Sequence, residues 1–305
     1  MIFLDPKTDT AFKKLFGDIE HKGVVISFLN SVLDRQKGEQ IVDVVFNDPY
    51  NLPDSLELKK SIVDIKVTDE KGKHYLIEMQ VVDQEDFAQR CQYYSAVALA
   101  RQIPKRGKYN TLMPVIFIGV LNFNLFTTKN YVSHHLIMDQ EIGQQSLRMQ
   151  EFHFIELLKF NLNLDELKNT LEKWIYLLKY ANTLESVPKA LQKNEEIQEA
   201  FHILNKLNWT NRELDAYDAE RDAIWSRQSQ IDTAEKKAKE KGLKEGLKEG
   251  IKAGIQEGIK EGIKEGEEKR TTEIARNALA KGKLTLQEIS ELTGIAIETL
   301  KKLKD

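Results

Sequence analysis

The chain has 305 residues, 41% hydrophobic and 30% charged, with a net charge of −3 and a single cysteine, Cys91. That length holds about two domains; the charge balance argues against a wholly basic surface for tight nonspecific nucleic-acid binding, though not against a local basic patch. One cysteine excludes an intrachain disulfide, no Cys/His spacing suggests zinc, and neither Met1 to Lys7 nor the apolar stretch Pro114 to Leu121 has the pattern of a signal or a bilayer span, so the expectation is a cytoplasmic protein with no membrane partner.

Along the chain, Thr8 to Leu33 has a helical pattern, with Phe12, Leu15 and Phe16 on one apolar stripe and Val24, Val25, Phe28, Leu29 and Val32 on another. Ile41 to Phe46 reads as a strand, followed by an irregular segment with Pro49 and Pro53. Ser61 to Thr68 and His74 to Val82 read as paired antiparallel strands, joined by the polar, glycine-bearing turn Asp69-Glu70-Lys71-Gly72-Lys73. Asp86 to Gln102 reads as a helix stopped by Pro104 and Gly107. Met113 to Leu121 is a buried-strand candidate, and Tyr131 to Met138 and Leu147 to Leu157 are further strands. The order is that of an α/β layout.

From Leu164 to Gln230 the pattern is helical, either as a second domain or as helices laid on the first. Leu167, Leu171, Trp174 and Leu178 share a face, and Thr210 or Asn211 caps a later helix. Then glycines recur every four residues from Gly242 to Gly266, the first six each followed by Leu or Ile, with Lys and Glu filling most of the rest. A period of four excludes a strand and fits a helix whose apolar stripe drifts about 40° per repeat. Seven glycines cost a lone helix roughly 7 kcal/mol relative to alanine. Two readings stand: a self-association helix making a homo-oligomer, or a partly frayed solvated spacer. Thr271 to Asp305 has the pattern of three short helices, with a capping box at Thr285 to Glu288 and a turn at Thr293-Gly294-Ile295. It reads either as a helix-turn-helix DNA reader or as a short helical cap on the repeat. The expected divisions are 1–160, 161–230, 231–270 and 271–305.

The chemistry concentrates on the hairpin. Alternation puts Ile62, Asp64 and Lys66 on one face of its first strand and Leu76, Glu78 and Gln80 on one face of the second. A turn centred on Lys71 sets Asp64 opposite Glu78, roughly 5 Å away, where like charges repel. A divalent cation turns that repulsion into ligation, and Mg²⁺ suits one or two carboxylates plus phosphate oxygens. Taken alone, such a pair is more often the solvated face of a half-buried sheet.

The Asp64 … Glu78-Met79-Gln80 hairpin, preceded by Asp9-Thr10-Ala11-Phe12-Lys13 and followed by Arg90 … Tyr94, resembles the recombination-promoting nucleases, transposase-like proteins of the PD-(D/E)xK nuclease superfamily. The resemblance runs from about Leu4 to Leu157, and the Lys/Glu/Gly repeat beyond it is common in such proteins. It implies a PD-(D/E)xK restriction-endonuclease-like core, a mixed sheet flanked by helices, followed by a helical C-terminal region. It implies Mg²⁺-dependent (or Mn²⁺-dependent) cleavage of DNA, with Asp64 and Glu78 as metal ligands and Asp9 as an extra acidic residue. Gln80 stands where the superfamily usually has lysine. Arg90 and Tyr94, one helical turn apart, support the site or touch phosphate. Glutamine does not titrate, so Gln80 orients water or phosphate while base activation falls to the metal's water. Lys66, or Lys60, is a candidate for the missing cation. The alternative is a catalytically silent, self-associating DNA- or protein-binding module. Asp9 can equally be a helix-terminal acid favoured by the dipole, and Arg101, Lys105, Arg106 and Lys108 either a solvated loop or a phosphate-tracking patch. His134 and His135, adjacent on a strand, point to opposite faces and read as structural, and Phe117, Phe123 and Phe126 as packing.

Overall fold

The computed structural model describes residues 3–35, 38–48, 50–51, 61–83, 85–104 and 106–304. Lys60, Pro49, Pro53 and Lys105 lie outside them. By contacts the chain divides into two compact units, Met1–Gln228 and Ser229–Asp305.

The first unit is built on a six-stranded mixed sheet. Its strands are β1 (Val44–Phe46), β4 (Ile65–Asp69), β5 (His74–Gln80), β6 (Val115–Leu121), β7 (Val132–Ile137) and β8 (Leu147–Glu156), ordered β1-β4-β5-β6-β8-β7. β5, β6 and β8 run parallel, while β1, β4 and β7 are antiparallel to their neighbours. β6 is buried along its whole length and is an unbroken apolar run, as a strand covered on both faces requires. A separate two-stranded ribbon pairs β2 (Tyr50–Asn51) with β3 (Ser61–Ile62).

On one face, α1 (Asp9–Phe16), α2 (Lys22–Val32), α4 (Thr170–Tyr180) and α5 (Glu195–Leu204) close the larger core. Phe12, Phe16, Phe28 and Trp174 pack there with Tyr75, Ile77, Ile118 and Ile155 of the sheet. The helices α4 and α5, in the segment expected at 161–230, are therefore laid on the sheet rather than built around a separate core. On the other face, α3 (Phe87–Ala100) buries Phe87, Cys91 and Ala98 against Leu76, Phe117 and Phe154. α3 also makes the crossover between the parallel strands β5 and β6.

Three expectations are corrected here. The helical run from Thr8 to Leu33 is interrupted after Phe16, where Gly17 caps α1 and a short 3-10 turn at Ile19–His21 precedes α2. The first hairpin strand is not continuous: β3 ends at Ile62, β4 begins at Ile65, and Asp64 occupies the bend between them. The tail's first helix is not separate, because α6 (Asn211–Lys281) runs unbroken for 71 residues. Thr210 caps its start: Glu213 accepts from the Thr210 N–H at 2.7 Å and hydroxyl at 2.8 Å.

In the second unit, the end of α6 packs Ala275 against Ile289 of α7 (Leu286–Thr293) and Leu300 of α8 (Ile297–Lys304). Thr285 and Glu288 form the expected capping box, and Gly294 ends α7 at φ 70°. Among the described residues, no helix is long and apolar enough to cross a membrane.

Candidate active site

The hairpin turn fixes the site. Asp69 accepts from the backbone N–H groups of Lys71 (2.9 Å) and Lys73 (2.8 Å) and from the Tyr75 hydroxyl (2.7 Å). Gly72 takes φ 82°, a left-handed conformation that side chains resist. The register that follows pairs Ile65 with Ile77 and Lys66 with Leu76. One step beyond the ladder, Asp64 meets Glu78 as the turn centred on Lys71 requires. The Asp64 N–H donates to Glu78 Oε2 at 3.2 Å, and the Met79 N–H donates to Asp64 Oδ2 at 2.8 Å. Because Asp64 sits at a strand break, its N–H is available for a carboxylate instead of a ladder carbonyl.

Both carboxyls are buried, Glu78 at 9% exposure and the Asp64 side chain at 10%. Burial first, then the neighbouring Asp9 carboxyl, pushes Asp64 from 3.8 up to about 7, against the Met79 N–H and the Lys13 charge, which pull it down. Burial and the charge of Asp64 hold Glu78 well above the ordinary carboxylate range, with Arg90 opposing. Near neutral pH the group therefore retains a proton that isolated carboxylates would have lost.

Asp9 reaches toward the pair from the first turn of α1, near enough for its carboxyl to raise the pKa of Asp64. One turn later, Lys13 bridges the two: its Nζ lies 2.7 Å from Asp9 Oδ2 and 3.4 Å from Asp64 Oδ1. Burial works against the Lys13 ammonium, but Asp9 and Asp64 outweigh it and its pKa is raised. The amino end of α1 is covered by Glu220, which accepts from the N–H of Asp9 and from the N–H and hydroxyl of Thr10.

Gln80 lies two residues beyond Glu78 on β5. Its Oε1 accepts from Arg90 Nη2 at 3.1 Å, and its Nε2 donates to the Val82 carbonyl at 3.2 Å. Arg90 also lies over the Phe87 ring, 5.2 Å from its centroid. Tyr94, a turn further along α3, is half-buried; burial raises its hydroxyl pKa, and it feels the charges of Arg90, Glu78 and Asp64. The structure thus brings Asp9, Asp64, Glu78, Gln80, Arg90 and Tyr94 to one place.

Lys66 is not brought there. Burial and then the charge of Arg101 lower its pKa, and its acidic neighbour is Asp48 rather than Asp64. Alternation puts Lys66 on the same face as Asp64, but two residues further along β4, toward the end of α3 that carries Arg101. The lysine that reaches the carboxylates is Lys13, which the motif Asp9-Thr10-Ala11-Phe12-Lys13 already contained. Its i, i+4 spacing from Asp9 was the available signal; its reach to Asp64 depends on how α1 lies beside the hairpin. His134 and His135 do point to opposite faces: His134 faces His153 and His135 packs on Phe126 and Phe154.

Among the described residues, no three His, Cys, Asp or Glu side chains form a ready metal-binding group. The donor chemistry nevertheless suits a hard divalent ion. Two buried carboxyls hold a proton they would not otherwise keep, and Mg²⁺ takes one or two carboxylates, filling its remaining positions with water and phosphate oxygens.

Comparison with known proteins gives one match. No curated protein and no solved structure matches the chain. The family of PD-(D/E)XK nuclease transposases does, over residues 6–234, a span that takes in the whole sheet, both helical layers and every residue of the site. With this match and its six-stranded mixed sheet between helices, the chain belongs to the PD-(D/E)XK nuclease family transposases.

Proposed function

We propose that the chain is a Mg²⁺-dependent DNA endonuclease that hydrolyses phosphodiester bonds in recombination or transposition-like DNA transfer. The observation that carries this reading is the buried Asp64–Glu78 pair, linked through the backbone and held partly protonated beside Asp9. Family membership supports a nuclease- or transposase-like role.

Asp64 and Glu78 are the residues that hold the cation, with Asp9 at the rim. When bound, the ion supplies an acidified water and neutralises charge on the phosphoryl group. Lys13 does not act as the base, since its raised pKa keeps it protonated; it holds Asp64 in place and presents a positive charge to the phosphate. Arg90 and the Val82 carbonyl fix the Gln80 amide, whose second N–H orients a water or a phosphate oxygen. Tyr94 supports Arg90 and Glu78 from α3, and Lys66 with Arg101 offers DNA a basic contact on the same side of the sheet. Mn²⁺ serves in place of Mg²⁺. Homo-oligomerisation through the Gly-repeat part of α6 brings two such sites to one DNA.

The test is plasmid cleavage. Purified protein nicks supercoiled DNA with Mg²⁺ or Mn²⁺ and not with a chelator, and Asp64→Ala abolishes nicking while circular dichroism stays unchanged. Equal nicking by that variant refutes the site. A protein that retards DNA in a gel yet binds no divalent ion by calorimetry favours the silent binding module instead.

A further inference from the structure

From Gly242 to Gly266, α6 presents four columns that repeat every four residues. In order around the helix, at 100° per residue, they are glycine, Leu/Ile, Lys and Glu. The Lys column holds Lys244, Lys248, Lys252, Lys260 and Lys264, with Gln256 as the exception; the Glu column holds Glu245, Glu249, Glu257, Glu261 and Glu265, with Ala253 as the exception. The apolar column is solvent-facing throughout, from 55% exposure at Ile251 to 75% at Leu243. A row of six large aliphatic side chains left in water favours any partner that covers it.

The order of the columns selects the partner. For two copies related by an axis along the helices, each helix turns its Lys side toward the other's Glu side. Leu or Ile of one copy then lies over the glycines of the other, where a Cβ would meet nothing within 4 Å. For two copies related by an axis across the helices, Lys faces Lys and Glu faces Glu. We infer that the 242–266 segment of α6 docks on the same segment of a second copy in parallel orientation, opposite charges flanking an aliphatic-over-glycine seam.

The period also sets the crossing. Four residues overshoot a turn by about 40°, so the columns wind right-handedly about the helix. A left-handed coiled coil needs a period of 3.5 and cannot follow them. Rows at i, i+4 interdigitate at about −50°, so contact is confined to a crossing of two or three tetrads. The glycines allow the close approach such a crossing needs. This inference deepens the proposed oligomerisation but is independent of the nuclease chemistry.

Sedimentation of the full-length chain at micromolar concentration tests association, and paired cysteines test its direction. The exposed end positions carry the probes, Lys241→Cys in one preparation and Glu267→Cys in another. Each cysteine carries a spin label: parallel docking puts the like labels within each preparation closer together than the unlike labels in a mixture of the two, while a crossing at about −50° keeps the ends of the segment too far apart for a disulfide. Raising salt weakens the association, because the facing charges attract. Replacing the five lysines of the Lys column by Glu weakens association at least tenfold, whether or not DNA is cut. A monomer at all concentrations, unlike labels lying closer together than like labels, or association strengthened by salt each overturns the inference.

Discussion

The buried carboxyls make a prediction about stability as well as activity. Asp64 has a pKa of about 7 in the fold against an ordinary 3.8. A folded acid that holds its proton more tightly than the unfolded chain is fully accommodated below pH 3.8 and loses stability as pH rises through 7. The slope over that window is about 1.4 kcal/mol per pH unit for one proton. Three units give about 4 kcal/mol by pH 8, an upper bound because Asp9 and Glu78 share the same charge. Asp64→Asn removes that penalty and keeps an oxygen to accept from the Met79 N–H. At about 2–4 °C per kcal/mol for a unit of this size, the variant should melt up to roughly 8–16 °C above the parent at pH 8 in chelator. The gap should shrink to little by pH 4. The assay is a series of thermal melts of both proteins from pH 4 to 8.5, with and without Mg²⁺, which should raise the parent alone. A variant that melts lower than the parent at pH 8, or a gap that does not change with pH, refutes the argument.

Other outcomes follow from neighbouring residues. Lys13→Gln should cut the nicking rate about 100-fold, as loss of a charge facing the transition state does, and move the pH profile upward because Asp64 loses its cation; an unchanged rate places Lys13 outside the chemistry. Gly119 stands beside Glu78 in the ladder, and a Cβ there would lie 2.8 Å from the Phe154 ring. Gly119→Ala should therefore cost about 1–3 kcal/mol in urea unfolding, and an unshifted midpoint shows that the ring yields freely.

The hairpin was readable in the sequence because its signals are local. A five-residue polar turn and strict alternation are enough to oppose Asp64 and Glu78, and β4–β5 has that register. Gln80 and Arg90 entered as site residues through the family resemblance rather than through local pattern, and the structure joins the two by a hydrogen bond. The lysine was not readable. Lys66 shares alternation parity with Asp64, and parity says nothing about where along the strand a charge falls. Lys13 lies 51 positions from Asp64 in the chain, so its role depends on helix-on-sheet packing set by Phe12 and Phe16. The break before β4 was hidden too, since Val63 and Asp64 continue a plausible strand pattern while the backbone bends. Likewise α4 and α5 have amphipathic faces that suit a separate bundle equally well; the core they share with the strands, in which Trp174 and Phe201 join one cluster with Tyr75 and Ile77, assigns them to the sheet.

One consequence of the Asp64–Glu78 pairing concerns how the protein should be handled in the calorimeter. An acid that is half-neutralised near pH 7 must give up hydrogen ions when a doubly charged guest takes their place. Titration heats should then differ between phosphate-free buffers of high and low ionisation enthalpy, and the difference should fade by pH 9. Uptake of the ion and release of acid would be a single thermodynamic event, so apparent affinity should climb with alkalinity until the pair is fully ionised.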